Sequence, residues 1–220
     1  MELKVCGLTD IYQLHQLEEM GVHYAGFIFY PPSPRHALKR GLSGSEVKRA
    51  KVKMIKVGVF VDASYDEVMK QIDLFGLDMV QLHGHETPYT CSRINGHIEL
   101  IKAFRFAEND HLEWTIKDYY EDADMFLFDT GIPVPWEARV PGAPVRNFNW
   151  NKLKDAALTK PFFLSGGIEP TDVEEVKRFM QQPNSAKLVA VDINSRFEIL
   201  PGIKDMEKIR SFKNSICSRP

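Results

Sequence analysis

Eight short apolar runs of β type alternate along the chain with segments of helical spacing, and nothing else in the sequence limits the available folds so strongly. The runs are Leu3–Cys6, Tyr24–Phe29, Met54–Val61, Asp78–Leu82, Glu99–Phe104, Met125–Asp129, Pro161–Leu164 and Leu188–Val191. The helical segments are Ile11-Leu14-Leu17-Met20, Val47–Ala50, Val68-Ile72-Phe75, Tyr89–Ile94, Leu112–Tyr119, Trp150–Ala157, Val173-Val176-Phe179 and Met206-Ile209-Phe212. Strands that are nearly continuous in apolar residues and separated by helices mark a parallel sheet buried on both faces. Eight βα units in 220 residues, close to the ~250 usual for the architecture, predict an α/β chain forming a single-domain (β/α)8 TIM barrel over residues 1–220. A doubly wound open sheet is the rival. No Gly-x-Gly-x-x-Gly follows the first strand, which weakens the dinucleotide-binding version of that rival.

Composition narrows the partners. Hydrophobic content of 44% with 26% charged residues is ordinary for a globular chain. A formal charge of −2 provides no electrostatic footprint for nucleic acid or an anionic membrane, so a phosphate must be held by local groups. Three scattered cysteines, Cys6, Cys91 and Cys217, form no disulfide framework and point to a reducing compartment. The chain enters its first strand with no apolar signal region, and no run approaches the ~20 apolar residues of a membrane span. The expectation is a cytoplasmic chain, with monomer and homodimer both open.

Barrel chemistry comes from the C-terminal ends of the strands. Read off, those positions are Cys6, Phe29 with Tyr30, Val61 with Asp62, His83, Arg105, Asp129, Gly166 with Gly167, and Asp192 with Asn194. Two connections at this end are long, Tyr30–Ser43 and Thr130–Asn147. Loops beyond about 12 residues in a compact domain are commonly functional, and their prolines suit binding loops that close over substrate, the second bringing Trp136.

Phe162–Ile168 reads as a buried strand that stops at Gly166-Gly167 before an acidic helix opened by Glu169-Pro170-Thr171-Asp172. Paired glycines allow a sharp turn and close backbone approach, and amide groups beside a helix start suit an anion such as phosphate. The neighbouring strand ends in Asp192, Asn194 and Ser195, completing a hydrogen-bonding cup.

A free cysteine is commonly a small buried hydrophobe, but Cys6 sits at a strand end before Gly7, where a thiol can act as nucleophile or base. Lys4 shares its face about 6.6 Å away and would favour the thiolate. Asp129 is either a solvated aspartate at a loop junction or a general acid; at the reference pKa of ~3.9 such a group is protonated about one part in a thousand at pH 7, so the acid role demands roughly 4 kcal/mol from its surroundings. His83-Gly84-His85 would need further ligands at other strand ends to bind a metal. The remaining histidines fall in predicted helices or loops, so no metal is expected. His83 is then a hydrogen-bonding pocket residue and His85 a cap of the next helix. Arg35 suits a bidentate carboxylate clamp or a solvated loop position.

Lys4-Val5-Cys6-Gly7-Leu8, Gly26-Phe27-Ile28-Phe29 with Ser33-Pro34-Arg35, Val57-Gly58-Val59-Phe60-Val61, Val80-Gln81-Leu82-His83-Gly84, Leu127-Phe128-Asp129-Thr130, Leu164-Ser165-Gly166-Gly167 and Pro201-Gly202-Ile203-Lys204-Asp205 occur in order. Together they resemble the phosphoribosylanthranilate isomerases across essentially the whole length. The resemblance implies an Amadori rearrangement of N-(5-phosphoribosyl)anthranilate in tryptophan biosynthesis, without cofactor or metal. It implies Asp129 as the general acid on the furanose oxygen and Cys6 as the base that removes the C2′ proton. It further implies Arg35 facing the anthranilate carboxylate, and Gly166, Gly167, Asn194 and Ser195 as the phosphate cup; His83 and Asp192 are expected to join these substrate-binding residues from their strand-end positions alone.

Three departures from that pattern stand out. The loop after strand six reads Val140-Pro141-Gly142-Ala143-Pro144-Val145-Arg146, Asn149 stands where the family usually carries aspartate, and Arg196 stands where it usually carries glycine. The alternatives are a phosphosugar epimerase or lyase on the same barrel, for which Lys102 is the plausible Schiff-base lysine, and a non-catalytic phosphoribosyl-ligand binding protein, against which the presence of both Cys6 and Asp129 speaks.

Overall fold

Side chains alternate between the two faces of a strand, so in a closed ring of strands parity decides which residues fill the interior. The computed structural model describes residues 1–105, 111–129, 150–153 and 158–217. Its strands are β1 (Glu2–Cys6), β2 (Tyr24–Ile28), β3 (Ile55–Phe60), β4 (Met79–Leu82), β5 (Glu99–Arg105), β6 (Met125–Asp129), β7 (Phe162–Ser165) and β8 (Leu188–Ile193). Each pairs in parallel with the next, and β8 returns to β1, closing the barrel. The closing register sets Lys4 opposite Asp192, and β1 meets β2 with Cys6 opposite Gly26. The closed ring replaces the open-sheet rival.

Helices α1 (Ile11–Glu19), α2 (Gly44–Arg49), α3 (Tyr65–Phe75), α4 (Pro88–Asn95), α5 (Leu112–Ile116), α6 (Val173–Met180) and α7 (Met206–Cys217) fall between and after the strands. Asp10, Ser43, Ser64 and Thr87 start the first four by accepting a backbone N–H, each cap contributing about 1 kcal/mol. The predicted helix at 150–157 is a 3-10 turn over Trp150–Leu153, and its remainder lies outside the described residues. So do the 130–147 loop, Trp136 and Asn149. Among the described residues no helix is long and apolar enough to cross a membrane.

One feature has no counterpart in the eight-run pattern. After β8 the chain forms a short antiparallel hairpin, β9 (Glu198–Leu200) and β10 (Ile203–Lys204). Strands of three and two residues are too short to show a period of two.

Parity sorts the core. Leu3, Val5, Phe27, Phe60, Phe126, Phe162 and Val191 point outward into the layer under the helices. Tyr24, Val57, Met79, Ile101, Ala103, Leu127, Phe163 and Ala190 fill the barrel. One inward step toward the C-terminal ends of the strands brings His83, by way of Gln81, then Arg105, Asp129, Ser165 and Asp192. The plug of apolar side chains is the floor on which the polar mouth stands. Phe163→Ala should therefore lower stability by about 3–5 kcal/mol in urea titration, because Phe163 is fully buried against Tyr24. A loss below about 1 kcal/mol would contradict a close-packed interior.

Candidate active site

All eight strands are parallel, so Cys6 at the end of β1 and Asp129 at the end of β6 open onto the same mouth. They stand three strand steps apart around the ring, through β8 and β7. The register that places Arg105 beside Asp129 brings two basic side chains to one oxygen. His83 Nε2 lies 3.1 Å and Arg105 Nε 3.7 Å from Asp129 Oδ2. Gln81 Nε2 lies 3.0 Å from His83 Nδ1. With the amide donating, Nδ1 is the acceptor, and the ring's remaining proton on Nε2 is directed at Asp129. His83 is thus a pocket residue, as expected, and its partner is the predicted acid. His85 is not the cap of the following helix. Its side chain is exposed and pairs with Asp62 at 3.4 Å, while Thr87 caps α4.

The opposite side is sealed. Lys4 Nζ meets Asp192 Oδ2 at 3.0 Å inside the barrel. Burial opposes both charges. For Lys4 the Asp192 carboxylate outweighs it and raises the ammonium's pKa above the ordinary lysine value, whereas for Asp192 burial prevails and pushes the carboxyl up. The two directions pull against each other, and the 3.0 Å contact favours the ionised pair at neutral pH. Burial also pushes the Cys6 thiol up, with Lys4 and then Lys204 pulling it down. Lys4 thus acts in the expected sense, yet burial exceeds it.

Arg35 does clamp a carboxylate, and it is the protein's own. Nε lies 2.9 Å from both Glu198 oxygens and Nη2 lies 2.6 Å from Oε2. Lys204 Nζ reaches the same carboxylate at 2.8 Å and Asn194 Oδ1 at 2.8 Å. Burial pushes Glu198 up, but Arg35 and Lys204 together outweigh it and hold its pKa below the usual glutamate value. Burial pulls Lys204 below the ordinary lysine value, with Glu198 opposing. A Cβ on Gly7, whose φ is +80°, would fall 2.9 Å from Arg35 Cδ and 2.9 Å from Asn194 Oδ1, so this cluster packs over the residue that follows Cys6. Glu198 and Lys204 escape a strand-end reading because they come from the hairpin. The Pro201-Gly202-Ile203-Lys204-Asp205 motif was the one signal for Lys204, and Glu198 had none.

Gly166 and Gly167 both have left-handed φ, +98° and +68°, the conformation that glycine alone adopts freely. Helix α6 starts at Val173 rather than directly after them, with Asp172 Oδ2 accepting from Glu169 N at 2.7 Å. The glycine turn, not a helix end, is therefore the backbone feature facing the mouth there. Ser165 Oγ is 3.4 Å from Asp192 Oδ2, Ser195 opens a 3-10 turn, and Arg196 Nε pairs with Glu169 Oε1 at 3.1 Å. Asp192 faces Lys4, and Asn194 faces Lys204, so the β8 end contributes less to the cup than the sequence suggests. Lys102 donates to Leu82 O, Gly84 O and Glu86 Oε2 at 3.4, 2.8 and 2.8 Å. Its three hydrogens are engaged, which leaves no ammonium poised as a Schiff-base nucleophile.

The ionisation of Cys6 is directly measurable. The pH dependence of Cys6 alkylation should show a midpoint above the ~8.5 of an ordinary thiol, displaced further upward in Lys4→Met. A midpoint at or below ~8.5, or an unmoved one in the variant, would contradict the balance of burial and charge described here.

Residues 3–215 match the family model described as N-(5′-phosphoribosyl)anthranilate (PRA) isomerase. A relative of that name from Parabacteroides distasonis is 33% identical over 217 residues, covering 98% of this chain and 93% of the relative. The crystal structure of the phosphoribosyl anthranilate isomerase of Thermotoga maritima aligns with a TM-score of 0.80 at 28% identity over 98% of each chain. A phosphoribosyl anthranilate isomerase in complex with reduced 1-(o-carboxyphenylamino)-1-deoxyribulose 5-phosphate aligns with a TM-score of 0.76 at 26% identity, again over 98% of each chain.

Proposed function

The chain belongs to the N-(5′-phosphoribosyl)anthranilate isomerase family, and on that footing we infer that Asp129 and Cys6 are the acid and base of its reaction. The enzyme isomerises N-(5′-phosphoribosyl)anthranilate to 1-(2-carboxyphenylamino)-1-deoxyribulose 5-phosphate, a step of tryptophan biosynthesis. The observation that carries the assignment is the position of Cys6 and Asp129 at two well-separated strand ends of one mouth, each with its own charged neighbours.

Charge orders the steps. Asp129 protonates the furanose oxygen, the C1′–O bond breaks, and the anthranilate nitrogen lone pair forms a C1′=N iminium. His83 Nε2–H, 3.1 Å from Oδ2, orients the Asp129 carboxyl, and with Arg105 Nε at 3.7 Å it stabilises the carboxylate left behind. The iminium acidifies the C2′ hydrogen and places a cation beside Cys6, offsetting the burial that holds the thiol protonated. The thiol proton leaves to solvent, the Cys6 thiolate takes the C2′ proton, the C–H electrons form C1′=C2′, and the nitrogen becomes neutral. Loss of the C2′ hydroxyl proton and gain of one at C1′ complete the ketone.

Arg35 faces the anthranilate carboxylate, and the Gly166-Gly167 turn with Ser195 holds the phosphate of this phosphorylated small molecule. Asp192, with Asn194, supports these groups from β8. General acid and base groups each typically contribute 10²–10⁴-fold.

Loss of substrate fluorescence, followed with EDTA present, tests this. Turnover should be chelator-insensitive and fall at least about a hundredfold in Cys6→Ser and in Asp129→Asn, with each variant still folded by circular dichroism. Near-normal turnover in either variant, or abolition by EDTA, would overturn the assignment.

A further inference from the structure

Glu198 and Lys204 stand in the barrel mouth although neither belongs to a barrel strand. Their side chains are 4% and 0% exposed, and buried charges are tolerated only when paired and hydrogen-bonded. A hairpin that merely covered the barrel would do so better with apolar residues. Instead it is pinned to the segment following β1 by polar bonds. Thr9 Oγ1 donates to Gly202 O at 2.7 Å, Gln13 Nε2 donates to Lys204 O at 2.9 Å, and Lys204 N donates to Gln13 Oε1 at 2.9 Å. This anchoring sends the Lys204 ammonium to Glu198 and to Asn194 Oδ1, the atom that lies 2.9 Å from where a Cβ on Gly7, the residue after Cys6, would fall.

Charge placement then becomes informative. The charged groups around Cys6 are Lys4 from its own strand, Asp192 from β8 and Lys204 from β10, with Arg35 from the β2–α2 connection packed over Gly7. Lys4 and Asp192 neutralise each other at 3.0 Å. Arg35 and Lys204 share one carboxylate, leaving an excess of positive charge at the base side of the mouth. Glu198 takes the Nε side of Arg35 with Nη2. Among the described residues Arg35 Nη1 makes no hydrogen bond, and the Nη1–Nη2 edge is the face that matches a second carboxylate bidentately.

We propose that Lys204 and Glu198 are positioning residues of the isomerisation. Lys204 supplies the charge that favours the Cys6 thiolate, and Glu198 fixes Arg35 side-on so that its outer edge receives the anthranilate carboxylate. The proposal rests on the acid–base reading given above. It explains why the hairpin carries a buried cation and a buried anion together. The anion alone would neutralise Arg35, and the cation alone would be unpaired.

The two roles separate in kinetics. Lys204→Gln keeps a hydrogen-bonding group for Asn194 and Glu198 without the charge. It should move the alkylation midpoint of Cys6 upward by about one pH unit and lower kcat at pH 7 about tenfold, with activity recovering at higher pH and KM changing little. Lys204→Arg should restore the wild-type profile. Glu198→Gln should raise KM about tenfold or more with kcat within about threefold, and Glu198→Asp should recover part of it. A hairpin with only a structural role would lower the urea midpoint of these variants while leaving the pH profile and the KM-to-kcat split unmoved, and that result overturns the proposal. Cys6→Ser and Arg35→Met run alongside. Full turnover in those two defeats the acid–base reading itself, whereas their inactivity together with an unmoved Cys6 midpoint and unmoved KM defeats only the positioning roles.

Discussion

The contact between Lys4 and Asp192 joins closure of the barrel to the chemistry at its mouth. It links the first strand to the last in the register that completes the ring, and it buries an ammonium and a carboxylate at 3.0 Å. Removing one partner of such a pair costs about 3–5 kcal/mol, so neither residue is free to change alone. The same register ends β1 at Cys6, two residues further along the same face. A one-residue slip would turn Cys6 into the layer under the helices and bring Val5 inside. Strand pairing at the seam thus sets the face of β1 on which Cys6, the proposed base, stands.

Around the rest of the mouth the charges divide into two groups that suit opposite tasks. Asp129 is 19% exposed and meets His83 and Arg105, donors that orient its carboxyl group and stabilise the anion left when its proton has gone. Cys6 is nearly sealed, and burial holds it as a thiol against the pull of Lys4 and Lys204. That opposition has a functional consequence. A thiol held protonated at rest reacts slowly at neutral pH, and on the proposed reading it becomes a base when ring opening places a cation beside it. The acid step and the base step are coupled through the charge of the intermediate, with Asp192, which interacts electrostatically with both His83 and Asp129, lying between the two groups.

Much of this was legible in the sequence. Eight apolar runs have bounds that the barrel strands reproduce to within two residues, and reading off the residues at the run ends placed Cys6, His83, Arg105 and Asp129 at one mouth because all the strands run parallel. Local competition was not legible. His85 was expected to cap α4, but Thr87 two residues later has the better geometry. The helix after Gly166-Gly167 does begin at Val173, where the apolar spacing put it, but the sequence did not show that Asp172 would accept from Glu169 N in the turn before it. Arg35 was visible as a carboxylate binder, while its partner Glu198 was not, since a contact across 163 residues leaves no periodic trace. Lys204 lay within a motif that carried the resemblance, but the motif alone did not say that a two-residue strand would aim its ammonium at the thiol.

On the proposed reading, one ligand spans the mouth with Cys6 and Asp129 on opposite sides of its reacting carbons. A crystal structure of this chain with reduced 1-(o-carboxyphenylamino)-1-deoxyribulose 5-phosphate, the compound held by a solved relative, tests it most directly. The account places Cys6 Sγ in contact with C2′, Asp129 within hydrogen-bonding reach of the C4′ hydroxyl, the ring carboxylate on Arg35 and the phosphate on the amides of Gly166 and Gly167. A ligand with its phosphate elsewhere, or with Cys6 and Asp129 on the same side of the C1′–C2′ bond, would contradict it.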